Sequence, residues 1–174
     1  RLDRYINDGL GNFSLTSFGY PLRWGSASLR DFDRDGDLDL VTTGRDQFFA
    51  NRFDYYRNDG TGSFVRTNVD IGLGCGSSLD VADVNGDGFP DILACGFQTW
   101  NCSNFTFRKY INDGQGRFSG SSLVPGAVRG QVTIGDIDGD GDQDLIVTGS
   151  NAGAYRFDTY KNDGSANFSL VSID

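Results

Sequence analysis

Apolar and polar residues alternate over short stretches of this chain, and the stretches recur. The alternation across Arg52–Arg57 returns at Thr106–Ile111 and at Tyr155–Lys161, and a period of two marks a strand with one face buried. Continuous apolar runs, each led by an aspartate, occupy Asp39–Thr43, Asp91–Ala94 and Asp144–Thr148. A further set of short strands precedes them at Ser26–Arg30, Ser77–Ala82 and Gln131–Gly135. A fourth set begins at a phenylalanine, as in Phe64–Asn68. Between the third and fourth sets stands Asn-Asp-Gly, a hairpin signal because glycine takes the positive φ of a tight turn.

The pattern is a repeat. Asn-Asp-Gly occurs at 7–9, 58–60, 112–114 and 162–164, at spacings of 51, 54 and 50. Each copy follows a tyrosine (Tyr5, Tyr56, Tyr110, Tyr160) and precedes a phenylalanine (Phe13, Phe64, Phe118, Phe168). A second motif begins at Asp31, Asp83 and Asp136, at spacings of 52 and 53. Two unrelated motifs sharing one period define a structural unit of about fifty residues. Four antiparallel strands in such a unit match a β-propeller blade. The expected fold is therefore all-β: a half-blade over 1–18, then complete blades over 19–70, 71–124 and 125–174. A closed propeller needs at least about four blades. Further blades outside this sequence are expected to complete the ring, rather than copies of the same chain, which would still lack the first two strands of the half-blade.

Composition sharpens this reading. All 24 acidic residues are aspartates, with no Glu, His or Met and only two lysines, so most strong helix formers are missing while turn formers abound. A net charge of −9 argues against nucleic acid or an anionic membrane as partner. No apolar stretch is long enough to span a bilayer. The chain starts at Arg1 with no Met and reads as a processed or excised piece, so the lack of a visible signal peptide says little.

The second motif carries the chemistry. The three loops run Asp31-Phe-Asp33-Arg-Asp35-Gly-Asp37-Leu-Asp39, Asp83-Val-Asn85-Gly-Asp87-Gly-Phe89-Pro-Asp91 and Asp136-Ile-Asp138-Gly-Asp140-Gly-Asp142-Gln-Asp144. Oxygen-bearing side chains recur at positions 1, 3, 5 and 9, so a curled backbone can aim them at one centre. Position 7 (Asp37, Phe89, Asp142) would offer its carbonyl. An all-oxygen, carboxylate-rich set suits Ca²⁺ over Zn²⁺ or Mg²⁺, giving three expected calcium sites. The first loop resembles an EF-hand loop in its first half, but no glutamate follows at position 12 and strands flank it, so an EF-hand is rejected. Carboxylates about 4 Å apart repel by roughly 1–4 kcal/mol per pair, against a domain stability of about 5–15 kcal/mol. A cation removes that conflict. The loops hold 13 aspartates and one arginine, so the acidity of the chain is mostly metal-site acidity, and the ions are expected to be structural.

These loops, with the Tyr-x-Asn-Asp-Gly-x-Gly-x-Phe hairpins, resemble FG-GAP/VCBS repeats, the propeller repeats of integrin α-subunits and of many secreted microbial and fungal proteins. The resemblance implies a seven-bladed parent with calcium in the first hairpin of a blade. Where the integrin version has Phe-Gly before the loop, this chain has Trp24-Gly25, Cys75-Gly76 and Arg129-Gly130. Where Gly-Ala-Pro would follow, it has Thr43-Gly44-Arg45, Cys95-Gly96-Phe97 and Thr148-Gly149-Ser150. It is thus similar to the VCBS branch, and integrin-type partner binding does not carry over.

The remaining features suggest an extracellular setting. Cys75, Cys95 and Cys102 fit no zinc spacing; one disulfide with a thiol left over is expected, its pairing open. Sequons stand at Asn12, Asn101, Asn104 and Asn167, of which Asn101 and Asn104, in an irregular loop, are the better glycosylation candidates. Trp24, Trp100 and Tyr20 lie on the side away from the acidic loops, where aromatics seal blades together or stack on sugars. Without Glu or His, general acid–base chemistry has little to work with, so no enzyme is expected. The expected function is an extracellular, calcium-stabilised repeat segment for adhesion, recognition or surface assembly, with a protein or glycan ligand. The alternatives are a lectin, a filament subunit and the accessory domain of a secreted enzyme.

Overall fold

The computed structural model describes residues 2–19, 21–70, 72–99, 101, 104–123, 129–151 and 154–171. Among these residues every element is a strand. β1 (Leu2–Asn7) and β2 (Phe13–Phe18) make a two-stranded antiparallel sheet. Three four-stranded antiparallel meanders follow. Blade one is β3 (Ala27–Arg30), β4 (Asp39–Arg45), β5 (Asn51–Asn58) and β6 (Phe64–Asp70). Blade two is β7 (Ser78–Ala82), β8 (Asp91–Phe97), β9 (Phe105–Asn112) and β10 (Phe118–Ser122). Blade three is β11 (Arg129–Gly135), β12 (Asp144–Asn151), β13 (Ala154–Asn162) and β14 (Phe168–Val171). The arrangement is that of β-propeller blades.

The core lies between blades rather than within them, because a single sheet has no interior. Phe32, Val41, Phe53 and Tyr55 of blade one meet Leu73, Val81, Ile92, Ala94 and Tyr110 of blade two. Val84, Leu93, Cys95 and Phe107 of blade two meet Val132, Leu145, Val147, Tyr160 and Ala166 of blade three. In β8, Ile92 and Ala94 thus serve one seam while Leu93 and Cys95 serve the other. A strand covered on both faces reads as a continuous apolar run, which is why the second strand of each blade lacks alternation. β4 and β8 are buried along their whole length, whereas the outer strands β6, β10 and β14 are largely exposed. Phe18 extends the same packing to the half-blade, stacking on Phe64 at 4.9 Å and meeting Tyr56 edge-on.

The strands run further than the pattern suggests, chiefly past the end of each apolar run. β4, β8 and β12 continue through Gly44, Gly96 and Gly149, and in blades one and three the chain there crosses the glycine that opens the blade. A Cβ on Gly25 would lie 1.9 Å from the Thr43 carbonyl oxygen, and one on Gly130 would lie 1.5 Å from that of Thr148. Glycine stands here because the two backbones touch. The Asn-Asp-Gly hairpin also differs from the tight turn expected. Asn58 pairs with Phe64 and Asn162 with Phe168, leaving loops of five residues. The Asp59 carboxylate fills the loop, accepting the Thr61 and Ser63 N–H groups at 2.9 and 3.2 Å; Asp8, Asp113 and Asp163 do the same in their copies. Local carboxylate bonding of this kind competes with the two-residue turn.

Gly25→Ala is expected to destabilise the protein by about 1–3 kcal/mol, the typical cost of overpacking. Gly135→Ala, whose Cβ would meet nothing within 4 Å, should be near neutral. Urea unfolding of the two variants checks this pair.

Candidate metal centres

Each acidic loop joins the first and second strands of a blade, and its last aspartate is already the first residue of the second strand. That residue (Asp39, Asp91, Asp144) is buried. One of its oxygens accepts the backbone N–H of loop position 2: Phe32 at 3.2 Å, Val84 at 3.1 Å, Ile137 at 3.0 Å. The other accepts the N–H of the hairpin asparagine: Asn58 at 2.8 Å, Asn112 at 2.8 Å, Asn162 at 2.9 Å. Tyr55 adds its hydroxyl to Asp39 at 2.7 Å. A buried carboxylate without such donors would be costly; with them it ties loop, second strand and hairpin together.

Around this anchor the loop curls. Asp31 accepts the Gly36 N–H, Asp83 those of Gly86 and Gly88, and Asp136 those of Gly139 and Gly141. Position 5 accepts the N–H of position 7 in all three copies, at 3.0, 2.8 and 3.0 Å. The outcome is two carboxylate trios, Asp31/Asp33/Asp39 and Asp136/Asp138/Asp144, in which one oxygen from each residue lies within 4.8 Å of the others. The second loop sets Asn85 between Asp83 and Asp91 and so has an amide where the trio would have its third carboxylate. Positions 1, 3 and 9 therefore converge in the first and third loops, while Asp35 and Asp140 at position 5 pair with Arg57 and Lys161. Asp37 and Asp142, at position 7, face the hairpin glycines Gly60 and Gly164. Phe89 at the same position packs its ring against Gly114.

In the first loop, Oδ1 of Asp31 and Oδ1 of Asp33 are buried without a hydrogen-bond partner. Unsatisfied buried oxygens are uncommon, and two from one trio call for a cation. The donor set, carboxylates with an amide and carbonyls nearby, fits a hard divalent ion. Burial raises the Asp39 carboxyl above its ordinary range and pushes Asp91 up to about 6, against hydrogen bonds that act the other way.

Three features of the site were not evident from the motif alone. The hairpin asparagine also grips the preceding blade: Asn112 Nδ2 donates to the Phe32 carbonyl and Asn162 Nδ2 to that of Val84, both at 2.8 Å. Arg34 reaches from the first loop to the Gly88 carbonyl and lies 4.7 Å from the Phe89 ring centre. Arg57 binds Asp33 and Asp35 at 2.6 and 3.0 Å, and Lys161 bridges Asp138 and Asp140. The signal available in the sequence was the asparagine itself, present in all four hairpins although glycine alone supplies the positive φ.

At the other end of blade one, Trp24 is exposed, and the Arg23 guanidinium lies 5.1 Å from its ring and 4.7 Å from that of Phe49. Tyr20 and Trp100 lie outside the described residues. Asn12 and Asn167 spend their side-chain amides on Asp8 and Asp163, whereas Asn101 and Asn104 are exposed. Cys95 is a free thiol, buried, with its pKa pushed up to about 12 by that burial. Cys102 lies outside the described residues.

Comparison with known proteins agrees with this architecture. A family model described as FG-GAP-like repeat matches residues 31–94, and one described as FG-GAP repeat matches residues 76–116. No curated protein matches the chain. Among solved structures, a lectin of Agrocybe aegerita, described as specifically recognising non-reducing terminal N-acetylglucosamine, superposes with a TM-score of 0.67 at 23% identity. The match covers 98% of this chain and 46% of that one, so the chain spans less than half the length of the lectin.

In ion-free protein, carboxyl ¹³C titration of Asp91 should show a midpoint about 6. The raised value means that the protonated carboxyl contributes stability at low pH, which is lost as pH rises from its ordinary range through about 6. Saturating calcium should move the midpoint down, since a bound cation favours the carboxylate.

Proposed function

We propose that the chain, which matches FG-GAP repeat models over residues 31–94 and 76–116, is a non-catalytic, calcium-stabilised propeller segment serving extracellular recognition. The observation that carries the metal reading is the pair of buried, unpartnered oxygens on Asp31 and Asp33 within a carboxylate trio. The ions would be held by positions 1, 3 and 9 of each loop, Asp31/Asp33/Asp39, Asp83/Asn85/Asp91 and Asp136/Asp138/Asp144, with positions 5 and 7 completing the set. Bound there, calcium supplies charge neutralisation and a fixed point between the first and second strands. Extracellular modules bind calcium at about 10⁻⁴–10⁻³ M, which suits a loop assembled from short side chains.

A protein outside the cell also fits the cysteines. Cys95 stays a buried thiol, and a disulfide between the other two cysteines would be favoured in an oxidising compartment. For the ligand, a glycan is the reading that a specific observation favours. A cleft of about 340 Å³ opens between blades two and three at the end away from the acidic loops. Phe97 and Phe105 give it an aromatic wall, and Ser77, Ser78 and Gln131 line it with polar groups. Apolar faces beside a few convergent polar groups suit a sugar ring, and the lectin with the same fold supports that class of ligand.

Excess EDTA should lower the melting temperature, and calcium should restore it; an unchanged melt counts against structural calcium. Asp83→Ala should remove one of three bound ions in a calcium titration and leave two, whereas losing all three would refute independent loops. On a glycan array, binding that survives Trp24→Ala but is reduced at least tenfold by Gln131→Ala places the ligand in the cleft. No binding to any glycan rejects the lectin reading while leaving the calcium reading intact.

A further inference from the structure

The residue before the hairpin asparagine is Arg57 in blade one, Ile111 in blade two and Lys161 in blade three. Position 3 of the acidic loop is, in the same order, Asp33, Asn85 and Asp138. The two positions change together: aspartate faces a cation, asparagine faces isoleucine. They lie 24, 26 and 23 residues apart, so chain proximity does not explain the pairing. The strand–hairpin geometry does, because the end of the third strand runs beside the loop.

The contacts give the reason. Arg57 Nε takes Asp33 Oδ2 at 2.6 Å and its Nη2 takes Asp35 Oδ2 at 3.0 Å. Lys161 Nζ takes Asp138 Oδ2 and, at 2.9 Å, Asp140 Oδ2. In both blades the cation engages Oδ2 of positions 3 and 5. In the first loop, Oδ1 of Asp33 is left buried and unpartnered beside that of Asp31. In the second loop Asn85 does both jobs: its Nδ2 donates to Asp87 Oδ2 at 2.8 Å, where the cation sits in the other copies, and its Oδ1 accepts the Asp87 N–H at 3.1 Å. Ile111 packs instead against the apolar cluster between blades two and three. Arg34, the one basic residue inside a loop, points away to the next blade.

We infer that Arg57 and Lys161 are positioning residues for the first and third calcium sites: resident counter-charges that fix the position-3 carboxylate and balance the ion-free loop. Counting positions 1, 3, 5 and 9, the first and third loops carry −4 and the second −3. With Arg57 and Lys161 included, all three stand at −3. The same net charge is reached by two routes, a carboxylate with a cation or an amide with none. Each loop can then keep its curl while empty, with the same charge at its four side-chain positions. This inference rests on the calcium reading for its consequence, but the charge pairing itself is measurable without any ion.

The test is a double-mutant cycle in excess EDTA, read by thermal melts. Arg57→Ile should lower the melting temperature by about 2–4 °C, the scale on which a small loss of stability shows in a chain of this length. In the Asp33→Asn background, which copies blade two, the same substitution should change it by less than about 1 °C, and Arg57→Lys should hold it near wild type. The Lys161→Ile and Asp138→Asn pair repeats the cycle in blade three, should either blade-one variant fold poorly. On adding calcium, Arg57→Ile should gain more in melting temperature than wild type, because its empty loop is the less balanced. Equal costs of Arg57→Ile in the two backgrounds would overturn the charge pairing and leave only packing of the arginine stem. A normal cycle in EDTA with no response of any variant to calcium would uphold the pairing, overturn its role at a metal site, and count against the calcium reading itself.

Discussion

Everything in this fold hangs on a buried carboxylate at the start of the second strand of each blade. Asp39, Asp91 and Asp144 give one oxygen to their own loop and the other to their own hairpin, in both cases through backbone N–H groups. The hairpin asparagine then donates its side chain to the loop of the preceding blade. One charge thus fixes the curl of the loop, the register of second and third strands, and the seam between neighbours. The apolar clusters supply most of the burial, but they are non-directional, and it is the aspartate–asparagine link that sets how one blade meets the next.

A carboxylate held this way brings a second requirement. Burial raises Asp39 and Asp91 above the usual carboxylate range, and positions 1 and 3 add further negative oxygens within 4.8 Å in the first and third loops. Backbone donors, Arg57 and Lys161 answer part of that charge from outside. Two oxygens in the first loop stay buried and unanswered. The recurring aspartates are therefore read as the ligands of a divalent ion whose place the fold has prepared. Most of the chain's acidity is thus gathered into three small volumes, where backbone donors, Arg57, Lys161 and a bound ion can each offset part of it.

Much of this was legible in the sequence, for stated reasons. The blade order follows from two motifs marching at one period, the third strands follow from alternation, and the outer strands follow from the phenylalanine after each Asn-Asp-Gly. The acidic loops stand out because alternate oxygen-bearing residues recur in one register. What escaped is what depends on the neighbour rather than the segment. Asn-Asp-Gly looks the same in a five-residue hairpin and in a tight turn, and only the Asp59 contacts to Thr61 and Ser63 separate them. The grip of Asn112 on Phe32 spans 80 residues, and no local pattern announces it. Arg57 and Lys161 look like the polar half of an alternating strand, and only Ile111 in the same place hints that they do something else.

The curled turns are read as places built to hold a cation. The most direct measurement is an anomalous difference map from crystals grown with calcium, collected at long wavelength. The expected result is a peak in each of the three loops, lying among the side-chain oxygens of positions 1, 3 and 9. Well-ordered loops with no peak, their aspartates turned out to solvent, would contradict it.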